Sequence, residues 1–263
     1  MPVVVFNFSR LEGIMRVKKI LPNAEILELA LWLPKERALA LADLHLGMEN
    51  EFQKKGILLP FFNFKETIER MERVFAKIEK EQKKRLEKII ICGDLKHEFG
   101  TISEQEWKEV IGFLRLLQKH CKRIILLKGN HDNILGPLVH WEGLKVRNEF
   151  YLPKERILFL HGDKIPEKSK AFENARVLVI GHEHPAITIR EGAKAEKFKC
   201  FLKGRFKGKA LVVLPSFNSF SEGTDVLKEL LLSPFLQQGL GEFEAWAVEN
   251  GKSYYFGKLK NLA

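Results

Sequence analysis

Apolar residues in this chain follow two rhythms. Short unbroken apolar runs alternate with longer stretches in which apolar positions recur every three or four residues. The first rhythm predicts buried strands and the second amphipathic helices. Residues 25–33 and 37–42 read as two strands joined by a turn at Pro34-Lys35, and 46–62, with Gly47, Gly56 and Pro60, as a loop. Lys65 to Leu86 reads as a helix whose core face is Ile68, Met71, Val74, Phe75 and Ile78, its other face dense in Glu, Lys and Arg. Leu86 to Cys92 reads as a buried strand. Ser103 and Glu106 form a capping-box signature for a second helix with the core stripe Trp107, Val110, Ile111, Leu114 and Leu117. Further strands fall at Lys122 to Leu127, 156–160 and 177–180. Beyond His184 the pattern is strand-like through 187–189, 198–202 and 210–214. A helix is expected over 225–232, then a hairpin from Phe243–Val248 to Tyr254–Gly257 around Asn250-Gly251.

Alternating strands and helices imply a layered α/β fold, in which ligands gather at the carboxyl ends of strands. With 263 residues, 45% of them hydrophobic, and no repeat or long linker, residues 1–263 are expected to form one domain with a sizeable core. No apolar run reaches the ~18 residues needed to cross a membrane. The start, Met-Pro-Val-Val-Val-Phe-Asn-Phe, lacks the pattern of a signal peptide. Cys92, Cys121 and Cys200 are odd in number and far apart, which argues against disulfides and zinc and for the cytoplasm. The net charge of +10 favours acidic partners such as phosphates, nucleotides or nucleic acid. The abundance of both Lys and Glu equally fits the ion-pair-rich surface of a thermophile.

Five segments then change the picture. Asp43-Leu44-His45, Gly93-Asp94-Leu95-Lys96-His97, Gly129-Asn130-His131-Asp132, His161-Gly162-Asp163 and Gly181-His182-Glu183-His184 each follow an apolar run. Taken singly, an Asp-Leu-His or a Gly-Asp is ordinary turn chemistry. Together they deliver carboxylates, an amide and imidazoles to one sheet edge, enough for two divalent metals and a spare histidine. Such mixed oxygen and nitrogen donors suit Mn, Fe, Zn, Co or Ni better than Ca or Mg.

These residues resemble the calcineurin-like metallophosphoesterase superfamily, whose pattern is D-x-H, G-D-x-x-[DH], G-N-H-[DE], a lone His, then G-H-x-H. Asp43 to His184 follow it in order, over more than half the chain. Gly-Asp-Leu-x-His and Gly-His-Glu-His look like the branch containing the double-strand-break repair nucleases and their archaeal relatives. Leu214-Pro215-Ser216-Phe217-Asn218 is similar to its small stand-alone members. The resemblance implies a four-layer sandwich, two mixed β-sheets flanked by helices, with a dinuclear metal site at the carboxyl ends of strands. It implies one metal held by Asp43, His45, Asp94 and His184, and another by Asp94, Asn130, His161 and His182, with Asp94 bridging. His131 is then the spare imidazole facing the phosphate, held by Asp132. His97, where many members carry Asp, is read as assisting the leaving group or as a surface residue, not as a ligand.

The expected activity is a phosphatase or phosphodiesterase dependent on two divalent metal ions, manganese first, acting on a small molecule or an exposed phosphodiester. Two alternatives stand beside it: a DNA or RNA nuclease in nucleic acid repair, and a non-catalytic metal-stabilised adaptor. Residues 185–263 look too short and strand-rich for a DNA-gripping domain. The basic, aromatic-interleaved stretch from Lys194 to Lys209 reads as a solvated hairpin or as a contact for nucleic acid.

Overall fold

A computed structural model describes residues 16–49, 52, 56, 62–82, 85–100, 102–135, 139–140, 142–191 and 194–262. The opening eight residues, and positions 50, 51, 53–55 and 57–61 of the 46–62 loop, lie outside them. The first sheet runs β1 (Lys19–Leu21), β2 (Ala24–Leu27), β3 (Ala30–Leu33), β4 (Ala38–Leu41), β5 (Lys88–Ile91), β6 (Ile124–Leu127), β7 (Val146–Arg147), in that spatial order. β1 to β4 form an antiparallel meander, and β4 to β7 are parallel. Parallel neighbours need long crossovers, supplied here by helices α1 (Asn63–Gln82) and α2 (Glu104–His120).

The second sheet is built from β8 (Phe150–Leu152), β9 (Ile157–Phe159), β10 (Val177–Ile180), β11 (Pro185–Glu191), β12 (Lys194–Phe206), β13 (Lys209–Val213), β14 (Thr224–Asp225), β15 (Glu244–Glu249) and β16 (Lys252–Lys258). Its main path is β14-β11-β12-β13-β10-β9-β8, with β15 paired to β12 and β16 to β15. A short helix, α3 (Lys170–Asn174), links β9 to β10.

Side-chain alternation makes the layers. In β10, Val179 packs into one core with the first sheet, while Leu178 and Ile180 face a second core. β13 repeats this, Val212 on one side and Leu211 and Val213 on the other. Strands buried on both faces read as continuous apolar runs. The first core also takes Met71, Val74, Phe75 and Ile78 of α1 and Val110, Leu114 and Leu117 of α2. The second is closed by Phe172 of α3 and by Val226, Phe235 and Leu236. Ala42, just after β4, bridges in parallel to Ser216, just after β13, so the two sheets meet at their carboxyl ends.

Several elements differ from the sequence expectation. Residues 25–33 are two strands, because Glu28 takes a left-handed φ of 54° and its buried carboxylate is held by Arg73 and Lys77. Trp107 is 38% exposed; Phe113 takes its place in the α2 core. No helix forms over 225–232. One turn forms, with Glu229 N–H on the Asp225 carbonyl at 2.8 Å, and it goes no further because Glu183 Oε2 accepts the Leu232 and Ser233 N–H groups that a continuing helix would use internally. Lys194 to Phe206 is one interior strand that turns at exposed Lys207-Gly208 into β13, so the expected hairpin forms with solvated ends, but its middle is buried. Phe198 is buried, Lys203 pairs with Glu244, and Lys199 donates to the Ser216 and Asn218 carbonyls. The Asn250-Gly251 hairpin forms as expected, with φ 48° and 68°.

Candidate metal centre

The polar groups meet because the chain turns sharply where each strand ends. Asp43, His45, Asp94, His182 and His184 all adopt positive φ, between 45° and 70°. L-residues adopt this conformation rarely and at a cost, and it concentrates at functional sites. Asp43 and His45 therefore converge through two left-handed turns, not through the alternation of a continuing strand. The flanking glycines make room. At Gly93, with φ 89°, a Cβ would lie 2.3 Å from His161 Nδ1, and at Gly129 a Cβ would lie 2.0 Å from Asp94 Oδ1.

Seven of the expected ligand residues and both other site histidines come together. Asp43, His45, Asp94 and His161 are buried, and Asn130, His131, His182 and His184 are half-buried. Three groups could each hold a metal ion, their donor atoms within 4.8 Å of one another: Asp43/His45/His184, Asp94/His161/His182 and His45/His97/His131. His45 Nε2 lies 3.2 Å from His184 Nε2, and His161 Nε2 lies 3.1 Å from His182 Nδ1 and 2.9 Å from Asn130 Oδ1. Asp94 Oδ2 stands between the first two groups, 3.8 Å from His45 Nε2 and 3.3 Å from His161 Nε2. His97 is drawn in more closely than expected, its Nδ1 3.3 Å from His45 Nδ1.

The electrostatics fit a cation. Asp43 Oδ2 accepts the His182 N–H at 2.9 Å, but its Oδ1 is buried with no hydrogen-bond partner. A buried unpartnered carboxylate oxygen is costly. Ring nitrogens facing one another at 3.1–3.3 Å converge as metal donors do. Burial alone would raise Asp94, but its hydrogen bond and attraction to His161, then the charge of His45, pull it well below the usual carboxylate range. Burial alone would lower His161, but the Asp94 and Asp43 carboxylates hold it up at about 9. In effect a proton stands where the carboxylates attract positive charge. Burial, then His184, lowers His45; burial, then His161, lowers His182.

Asp132 departs from expectation. Its carboxylate does not meet the His131 ring. It accepts the backbone N–H of Asp94 at 2.8 Å and Gly129 at 3.0 Å, with Leu95 and Lys96 further out. Buried to 2% exposure beside Asp94, it is raised to about 6 by burial first and then by Asp94's charge. It ties the Asp94 turn to the Asn130 turn. The His131 ring is instead held by its own Nδ1–H, which donates to the His97 carbonyl.

Other residues hold the site from outside the five metal-ligand segments. Asn218 is fully buried and donates to the Leu44 carbonyl at 2.8 Å, while its Oδ1 accepts Phe220 N–H at 2.7 Å. Ser216 Oγ donates to the Asp43 carbonyl at 2.7 Å, and Ser221 Oγ lies 3.3 Å from His184 Nδ1. Glu109 on α2 accepts the Gly47 N–H at 2.8 Å. Lys199, lowered to about 7 by burial and then by Arg70, braces the 216–218 backbone. The Pro-Ser-Phe-Asn run after a buried strand was the available signal for this support. The cysteines take no part: all three are free and buried, and burial raises each thiol.

Among the described residues no helix is long and apolar enough to cross a membrane. The fold resembles that of Pseudomonas putida nuclease MPE, with a TM-score of 0.61 and 19% identity over 93% of this chain and 100% of that one. More distant likenesses include the Escherichia coli phosphoesterase YfcE, at a TM-score of 0.37 and 15% identity over 81% of this chain and 88% of that one. Zinc-complexed Vps29 of Entamoeba histolytica gives a TM-score of 0.33 and 14% identity, over 81% and 86%. No curated protein matches the chain. The family model of calcineurin-like phosphoesterases matches residues 36–234, more than half the sequence and every motif described above. The chain belongs to the calcineurin-like phosphoesterase family.

Proposed function

We propose that this protein is a divalent-metal-dependent phosphoester hydrolase, a phosphatase or phosphodiesterase with two cations, manganese first. The observation that carries the reading is Asp94 Oδ2, buried between two sets of donors, 3.8 Å from His45 and 3.3 Å from His161. Asp43, His45, His184 and Asp94 would hold one cation, and Asn130, His161, His182 and Asp94 the other. When bound, such a pair acidifies a water and offsets the charge developing on phosphorus.

The chain's own groups do the rest. Asp132 fixes the Asp94 and Gly129 backbone, so the bridging carboxylate is aimed before substrate arrives. His131 keeps its Nδ1 proton on the His97 carbonyl, which leaves Nε2 facing the cluster, 4.0 Å from Asp94 Oδ2. When protonated, that nitrogen can donate to a leaving oxygen. His97 stacks beside His131, ring centroids 5.5 Å apart, and can serve the same oxygen from its outer side. Three buried free thiols support a reducing compartment, the cytoplasm.

The test is a substrate panel on chelated, repurified protein: a chromogenic phosphomonoester, a diester, and single- and double-stranded DNA, each with Mn, Mg or Ca. The histidine-rich donor set predicts faster turnover in Mn. Equal or greater rates in Mg would count against that metal. Absence of turnover in every metal would favour the adaptor reading. DNA belongs in the panel because the Pseudomonas putida neighbour is a nuclease.

His97→Ala separates a leaving-group role from a ligand role. We expect both metals to remain, and the rate loss to be larger for an alkyl ester than for a nitrophenyl ester, whose leaving group needs no proton. Equal losses on both would remove the leaving-group role. Loss of metal would make His97 a ligand, as its 3.3 Å approach to His45 allows.

A further inference from the structure

Phe99 is a large apolar side chain left 57% exposed at the lip of the metal centre. One face of its ring lies on the His131 imidazole, centroids 3.7 Å apart and planes tilted by 31°. His131 in turn reaches to within 4.0 Å of Asp94 Oδ2. Phe99 is thus one ring away from the polar cluster, with more than half of its surface in water.

The loop that presents it is held by two buried charged residues. Glu106, from the first turn of α2, accepts the backbone N–H of His97 at 2.8 Å and of Glu98 at 2.9 Å. Lys96 is fully buried, and its ammonium donates to the Glu98 carbonyl. Glu106 therefore completes only half of the capping box expected with Ser103. Ser103 Oγ accepts the Glu106 N–H at 3.1 Å, but the Glu106 carboxylate turns to the site loop. Burying a lysine and a glutamate is costly, the more so as Glu106 Oε2 is buried with no hydrogen-bond partner. Here they clamp residue 98 from both its N–H and its carbonyl, and the next residue is the exposed phenyl ring. Held at the lip of the site with one face on His131, it offers its other flat apolar face to solvent.

We infer that Phe99 is a specificity-determining residue, a stacking platform for a planar aromatic group carried by the phosphoester next to the scissile phosphorus. The inference rests on the hydrolase reading for its substrate, and it narrows that substrate to esters bearing an aryl ring or a nucleobase. Stacking on a protein aromatic is sequence-tolerant and depends on the π-face, not on hydrogen bonds.

Equilibrium binding tests this without turnover. Mn-loaded protein is titrated calorimetrically with phenylphosphonate against methylphosphonate, and with deoxyadenosine 5′-phosphonate against the same sugar phosphonate lacking its base. Wild type should prefer the ring-bearing member of at least one pair by about tenfold. The pair that shows the preference tells an aryl ring from a nucleobase. Phe99→Ala and Phe99→Leu should both level the preference, and Phe99→Trp should keep it. The leucine variant retains apolar cover over His131, so it separates stacking from shielding. A wild type with no ring preference, or with no phosphonate binding, overturns the inference, as does a preference that survives in Phe99→Leu. Failure of the hydrolase reading looks different: wild type would bind these phosphonates yet turn over nothing in the substrate panel.

Discussion

Replacing Asp94 with asparagine is expected to leave the protein folded, remove at least one metal from each chain and lower turnover at least about 10³-fold. Asparagine keeps an oxygen for the His131 backbone N–H, which Asp94 Oδ1 accepts at 2.9 Å, so the turn itself should survive. What is lost is the charge. Asp94 Oδ2 is 3.3 Å from His161 Nε2 and 3.8 Å from His45 Nε2, one nitrogen from each donor set. A neutral amide there leaves only Asp43 as a formal negative charge among the proposed ligands. Two dications facing one carboxylate repel each other without compensation. Elemental analysis of the purified variant checks the metal, and melting in chelator checks the fold. In chelator the variant should melt somewhat lower than wild type, because the charged Asp94 and the His161 it holds protonated form a stabilising pair when no metal is bound. Two retained metals per chain would refute the bridge. A variant that melts far lower would show that Asp94 serves the fold and not the metals.

The candidate site was far more legible in the sequence than the means by which it is held. Asp43, His45, Asp94, Asn130, His131, His161, His182 and His184 could be found because each follows an apolar run, and apolar runs end where a parallel sheet exposes its carboxyl edge. The left-handed backbone at Asp43, His45, Asp94, His182 and His184 was not legible. Propensity disfavours it at these residue types, and only the surrounding packing enforces it. The resemblance implies Asp132 as the side-chain partner of His131, whereas burial turns its carboxylate toward the nearest amides, those of Asp94 and Gly129. Asn218, Ser216 and Glu109 act on backbone groups more than 60 residues away; the Pro-Ser-Phe-Asn run marks the first two, but nothing local shows which groups they reach.

The fold shows the same division. Strands β4, β5, β6 and β10 lie where the apolar runs predicted them, because strands buried on both faces have little freedom. The 225–232 segment departs from its apolar periodicity because the carboxylate of Glu183, distant in sequence, takes its last amides. Val226, Leu227 and Leu231 pack on the second core, but Leu230 is 93% and Leu232 72% exposed, so the apolar face is not continuous. Glu183, the middle residue of Gly-His-Glu-His, accepts two amides of that segment. A residue inside the metal motif thereby straightens a stretch fifty positions away and anchors the His182–His184 turn in return.

His131→Ala should retain both metals and lose about 10²–10⁴-fold in rate, the usual contribution of a positioned general acid. Retention follows from the way His131 is attached. Its backbone N–H, which alanine keeps, orients Asp94. Its ring is tied to the His97 carbonyl through Nδ1 and covered by Phe99, and only Nε2 faces the cluster. Removing the ring therefore takes away a proton donor at the site's edge and leaves the Asp94, His161 and His182 donors in place. The loss should be steeper for alkyl esters than for nitrophenyl esters. His97→Ala should share that dependence with a smaller loss, since its ring lies beside His131 and would serve the same oxygen from the outer side. The opposite outcome is chemically open, because His131 also lies with His45 and His97 in a group whose donors fall within 4.8 Å of one another. Stoichiometric loss of one metal from His131→Ala would make it a ligand. The proton for the leaving oxygen would then have to come from His97 or from solvent.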